Sequence, residues 1–171
     1  ITYQNDLLKK RVENLCKSKN VTEISKCDVS QSNDIESLYK EIKNKWGKID
    51  FIVHSVAYSD KNELSGEYVN TSKDNFLNTL LISCYSFTEI AQKFSDIINS
   101  EGSLLTLSYF GSQKVIPSYN VMGVAKAALE TSIKYLAVDL GEKKIRVNGI
   151  SLGPMRTLSG AAIKDARYIY N

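Results

Sequence analysis

The run from Leu105 to Lys126, L-T-L-S-Y-F-G-S-Q-K-V-I-P-S-Y-N-V-M-G-V-A-K, decides how the rest of the chain is read. It opens as a buried strand over Ser103–Ser108, breaks at Gly111 and re-enters regular structure after Pro117 as a helix from about Tyr119 to Leu140. Lys126 follows Tyr119 by seven positions, close to two helical turns, which sets the phenol and the ammonium on one helix face. A phenol beside a lysine is a proton donor next to a cation able to favour its ionised form. Lys126 also sits among Val121, Ala125, Ala128 and Leu129, and an ammonium on an apolar face demands a partner.

Outward from this stretch the chain alternates. Asp6 can cap a first helix with an apolar face of Leu8, Val12, Leu15 and Cys16, and Val21 to Cys27 reads as a short strand ending in Asp28-Val29. Asn33, with Glu36 three later, resembles a capping pair for a helix striped by Ile35, Leu38, Tyr39, Ile42 and Trp46 and closed by Gly47. Ile49 to Val56 is an apolar run without alternation, which predicts a strand covered on both faces. A polar loop over Tyr58–Ser72 precedes a long helix over Lys73–Phe94, and Ile145 to Ser151 forms a last strand before Gly153-Pro154. Helix and strand in strict alternation give an α/β, Rossmann-like, doubly wound parallel sheet with helices on both faces, in a single domain. Ligands in such sheets sit beyond the carboxyl ends of the strands. The loops at Asp28-Val29, Ser55–Ser59, Ser108–Tyr119 and Gly153–Leu158 all fall there.

Composition narrows the chemistry. A net charge of +3 over 171 residues, with lysines dispersed among acids, argues against nucleic acid as a partner. No run is apolar and long enough to span a membrane. One histidine, His54, and three cysteines without metal-ligand spacing argue against a zinc site or a histidine-based triad. The cysteines read as buried thiols of a reducing cytosol, and His54, inside an apolar run, as a satisfied core histidine.

The motifs L-T-L-S-Y, Y-N-V-M-G-V-A-K, R-V-N-G-I-S and G-P-M-R-T-L together resemble the short-chain dehydrogenase/reductase superfamily. Within it they resemble the bacterial-type enoyl-acyl-carrier-protein reductases. Ordinary members carry Tyr-x-x-x-Lys with a serine upstream; here four residues before Lys126 stands Met122, which has no proton to give. Tyr109 stands where the ordinary serine would be, and Tyr-x6-Lys replaces the shorter spacing.

The resemblance covers all 171 residues and implies reduction of a trans-2-enoyl thioester on acyl carrier protein, with hydride from NADH, in type II fatty-acid synthesis. The alternative is a carbonyl-reducing member of the ketoacyl-thioester type. The resemblance implies that Tyr119 acts on the substrate oxygen, that Lys126 holds the nicotinamide ribose, and that Tyr109 is a second tyrosine of the catalytic set. It places Gln4 near the adenosine ribose, and Asp28 and Val29 at the adenine. Val56 lies at the strand end where cofactor and acyl chain pass, and Ser59 at the substrate. Met155, Arg156, Thr157, Leu158 and Ser159 belong to the loop that reaches the carboxamide and pyrophosphate. A neutral Gln4, with no arginine nearby for a 2′-phosphate, leans toward NADH over NADPH. The family further implies a homotetramer in the cytoplasm, or the stroma of an organelle, and no metal. The glycine-rich phosphate loop of the family does not occur in the sequence, so the domain over 1–171 is expected to lack its N-terminal strand-loop-helix and its C-terminal part.

Overall fold

The computed structural model describes residues 1–153. Five strands and five α-helices alternate along them: β1 Thr2–Tyr3, α1 Asp6–Ser18, β2 Ser25–Lys26, α2 Ser32–Trp46, β3 Ile49–His54, α3 Lys73–Leu80, α4 Ser86–Phe94, β4 Ile98–Tyr109, α5 Asn120–Gly141 and β5 Arg146–Leu152. All strand pairings are parallel, β1 with β2 and β3–β4–β5 in a second ladder. The α/β class with parallel strands and helical crossovers is therefore present.

Local chemistry explains the element ends. Asn5, rather than the expected Asp6, caps α1 by accepting the Leu8 N–H at 3.2 Å, and Asp6 stands in the first turn, where a carboxylate suits the helix dipole. The Asn33–Glu36 pairing does not cap α2, which begins at Ser32 after an uncapped Gln31; Glu36 instead meets Lys93 and Lys40. Gly47, at φ +73°, stops that helix as expected. The strand expected over Val21–Cys27 shrinks to Ser25–Lys26, where the ladder with β1 offers only two register pairs.

The core gathers α2, α4 and α5 against the sheet: Ile35, Phe87, Phe94, Leu104 and Leu129 are fully buried within it. One expectation fails at β3. Phe51 is 65% and Val53 51% exposed, so the face expected to be covered is open among the described residues; β3 pairs with β4 alone and no described element packs over those side chains. The long helix expected over Lys73–Phe94 is also not uniform. A five-residue π-helical turn, Leu81–Tyr85, separates α3 from α4. It brings Ser83 to the Tyr58 backbone, whose N–H donates to Ser83 Oγ at 3.0 Å, and leaves Ser86 buried beneath β3. Such turns carry an extra residue in a wider loop and gather at functional sites.

Candidate active site at the ends of β4 and α5

Tyr119 does not lie inside α5 but at its N-cap, and it is bracketed by two left-handed residues, Ser118 at φ +59° and Asn120 at φ +30°. Non-glycine residues hold such angles only where the surroundings over-determine them. The Asn120 amide provides one anchor, donating to the Glu63 carbonyl at 3.1 Å and to the Gly66 carbonyl at 3.3 Å. This tether sets Tyr119, 7% exposed, against Leu64, Met122 and Ala125, with Tyr109 packed alongside. The two tyrosine rings meet edge to face with centroids 5.1 Å apart.

The electrostatics differ from the sequence expectation. Burial, and then the neighbouring Tyr109, push the Tyr119 phenol above its ordinary range; no lowering by Lys126 enters. Tyr119 is thus a neutral O–H donor at physiological pH. Lys126, 5% exposed, finds the partner its surroundings demand in a backbone carbonyl: Nζ donates to Leu107 O at 2.8 Å. Burial lowers its pKa to about 8, against a smaller opposing pull from Cys84. A single neutral acceptor leaves two of its three N–H donors without a bond among the described residues.

His54 adjoins this lysine. It is 2% exposed, with Nδ1 3.0 Å from Thr106 Oγ1 and Nε2 2.8 Å from Ser86 Oγ. Ser86 spends its proton on the Ile82 carbonyl, so Nε2 carries the ring hydrogen and donates to Ser86 Oγ, while the single Thr106 hydroxyl proton is shared between Nδ1 and the His54 carbonyl, 3.2 Å away. Burial, then the Lys126 charge, lowers its pKa to about 4. His54 is a neutral core histidine, as its setting in the sequence suggests.

A second group lies at the carboxyl ends of β1 and β2. Gln4 Nε2 donates to Asp28 Oδ2 at 3.0 Å, while the Ser30 N–H and hydroxyl donate to Oδ1 at 2.9 and 2.7 Å. Burial opposes ionisation of Asp28, but these donors and the Lys26 charge hold its carboxyl below the usual range. Lys26 is a cation that the sequence reading passed over. Val29 packs on the core, and Val56 lies half-buried just beyond β3. Ser59 donates to Asn75 Oδ1 at 3.3 Å within the loop that follows. Met155, Arg156, Thr157, Leu158 and Ser159 lie outside the described residues.

Sequence reasoning missed Glu130, which accepts from both Ser108 Oγ and Ser112 Oγ at 2.5 Å, and Gly111. A Cβ on Gly111 would stand 2.5 Å from Tyr119 Cδ1 and 2.6 Å from Cε1, so only glycine lets that ring close on the turn. Neither residue has a spacing signature, because both act on positions far from them in sequence or through space.

A parallel α/β fold that ends one strand in Tyr109, sets Tyr119 at the cap of the following helix and buries a lysine on that helix defines the class: a dinucleotide-type reductase fold of the short-chain dehydrogenase/reductase kind. Comparison with known proteins narrows the class. A family model described as Enoyl-(Acyl carrier protein) reductase matches residues 1–171, and the chain belongs to that family. It is 53% identical over 169 residues to "Enoyl-[acyl-carrier-protein] reductase [NADH] 1" of Rhizobium meliloti, covering 99% of this chain and 62% of that protein. It is likewise 53% identical over 164 residues to the FabI enoyl reductase [NADH] of Rickettsia bellii, covering 96% of this chain and 63% of the relative. Among solved structures, the Anaplasma phagocytophilum reductase in complex with NAD superposes with a TM-score of 0.91 at 53% identity, over 98% of this chain and 62% of that one. The Bacillus cereus reductase with NADP+ and an indole naphthyridinone gives 0.94 at 40% identity, over 98% and 66%. The chain therefore spans 62% of the length of the first of these curated relatives.

Proposed function

We propose that the protein is an NADH-dependent enoyl-acyl-carrier-protein reductase, an oxidoreductase of type II fatty-acid synthesis. The observation that carries the reading is the buried, neutral Tyr119 packed edge to face with Tyr109, at the N-cap of a helix whose inward lysine has donors to spare. Membership of the family and the names of relatives more than half identical support it.

The residues present fit a nicotinamide dinucleotide. Asp28 is an ionised acceptor at a strand end, suited to an exocyclic amino group, and Lys126 offers two N–H donors suited to a ribose diol. Gln4, bonded to Asp28, stands beside the adenosine end, and Val29, Val56 and residues 155–159 complete the proposed contacts. When bound, NADH supplies the hydride delivered to the β-carbon of the enoyl thioester.

Negative charge then develops on the thioester oxygen, and Tyr119 meets it with a hydrogen bond that strengthens with the charge. Its raised pKa suits this role, because the phenol remains protonated until the oxygen becomes basic. Tyr109 packs the second wall of the site, and Lys126 orients the ribose and places a positive field below the reacting atoms. Ser59 lines the acyl path. The carbonyl-reducing alternative falls: Met122, 6% exposed and lacking a proton, occupies the position where such enzymes need an acid, and the relatives bear enoyl-reductase names.

The substrate partner is the enoyl thioester of acyl carrier protein. Homotetrameric assembly and a cytoplasmic setting rest on family membership; among the described residues no helix is long and apolar enough to cross a membrane. The test is turnover of crotonyl thioester against a ketoacyl thioester, by the wild type and by Tyr119→Phe. Enoyl turnover that falls about 10²–10³-fold in the variant, with cofactor affinity kept, is the expected result. Preferential turnover of the ketoacyl compound would remove the reading.

A further inference from the structure

Glu130 takes no part in the chemistry above, yet it joins the two elements on which Tyr119 depends. It stands one helical turn beyond Lys126 on α5 and receives two hydroxyls at one oxygen, Ser108 and Ser112, each at 2.5 Å. Burial raises its pKa, but donors from Ser108, Ser112 and Gln113, with the Lys134 charge, bring the carboxyl below its usual range. The two serines flank Tyr109, Phe110 and Gly111. Tyr109 meets the Tyr119 ring edge to face, and Gly111 supplies the backbone on which that ring lies. The same turn presses on α5 itself, because a Cβ on Gly123 would stand 2.8 Å from Gly111 O. The turn between the serines is thus fixed at both ends by one carboxylate and in the middle by close backbone contact.

We propose that Glu130 is a positioning residue. It pins Ser108 and Ser112 to α5 so that Tyr109 and Gly111 hold the Tyr119 phenol in one place. The effect on turnover rests on the enoyl-reductase reading; the effect on the tyrosine does not. Hydrogen bonds to an ionised acceptor are about twice as strong as neutral ones, so Glu130→Gln, which keeps the shape and one acceptor oxygen, is intermediate between wild type and Glu130→Ala.

The test uses the full chain labelled with 3-fluorotyrosine, in which the Tyr119 resonance is identified by its loss in Tyr119→Phe. Glu130→Ala is expected to shift or broaden that resonance and to lower kcat about ten- to a hundredfold, with KM within about twofold. Glu130→Gln gives a smaller change of the same kind. Added to Tyr119→Phe, Glu130→Ala costs less than about a further twofold, since the group it positions is already gone. An unmoved Tyr119 resonance in a folded Glu130→Ala protein overturns the proposal, as does an equal fold-loss of kcat with and without Tyr119. Where Glu130→Ala does not fold, Ser108→Ala with Ser112→Ala removes the same two bonds and is read in the same way. If Tyr119→Phe turns over normally, the enoyl-reductase role of Tyr119 fails, and the fluorine resonance alone decides the clamp.

Discussion

Replacing Gly111 by alanine tests the geometry of the site with a single methyl group. That methyl would lie 2.5 and 2.6 Å from two carbons of the Tyr119 ring and 3.3 Å from Tyr109 Cδ1. Carbon atoms rest about 3.5–4.0 Å apart, so the ring must retreat by roughly 1 Å. It has little room for this. Tyr119 is 7% exposed and backed by Leu64, Met122 and Ala125, and its backbone is held between two left-handed residues. Overpacking of a filled site costs about 1–3 kcal/mol, which lowers the thermal midpoint by several degrees without abolishing the fold. A phenol misplaced by about 1 Å lowers kcat by about a hundredfold. Cofactor affinity, which does not run through the ring, stays near the wild-type value. Thermal unfolding, calorimetric titration with NADH and single-turnover reduction separate these three quantities. A Gly111→Ala protein with normal kcat and an unchanged midpoint would falsify both the packing argument and the role given to Tyr119.

Three further outcomes follow from the charges. Lys126→Met keeps the stem and removes the donors, so NADH affinity falls directly; in the wild type the same affinity weakens as pH rises through about 8, where the ammonium deprotonates, and calorimetry at several pH values should show this slope disappear in the variant. His54 has a folded pKa of about 4, below its ordinary 6.5, so the unfolded chain binds the extra proton between those values. Stability is therefore fully present above pH 6.5 and declines as pH falls toward 4, and denaturant midpoints across that window should fall less steeply in His54→Gln. Fluorescence titration should show NADH bound more tightly than NADPH, and Lys26→Ala should widen the gap, because Lys26 is the cation whose charge reaches Asp28; clear preference for NADPH would refute the reading of Gln4.

The alternation of elements was legible in the sequence because helical stripes and apolar runs are local patterns. So was the need of Lys126 for a partner; the packing of Tyr109 against Tyr119 was not, since only the resemblance put the two tyrosines in one set. Nor was the identity of the lysine's partner, since a backbone carbonyl has no residue type to betray it. The expected strand over Val21–Cys27 shows a related limit: β-propensity marks residues able to join a ladder, while the length of the ladder depends on the neighbour. The open face carrying Phe51 and Val53 shows another, because an apolar run states what a strand is suited to bury and not what lies over it. At the site, the Glu130 clamp joins positions 22 and 18 residues apart, beyond any helical or strand period. The left-handed angles at Ser118 and Asn120 arise from the tether to the Glu63–Gly66 loop, which no local rule foresees.

The π-helical turn at Leu81–Tyr85 gives the chain an unusual sensitivity to length. An ordinary helix rotates about 100° per residue, and one surplus residue is absorbed here as a bulge. Deleting a single residue from the turn would restore a regular helix and improve its own backbone bonding. The flanking helices α3 and α4 would keep their phase, but the residues inside the turn would lose the widened loop that now carries Ser83. Ser86, on α4, would still face His54, while Ser83, inside the turn, would lose its place at the Tyr58 backbone. A shortened chain would keep its hydropathy pattern and helix content while losing the agreement between the loop after β3 and the buried histidine at its end. In this segment, residue count is as much a part of the specification as residue type.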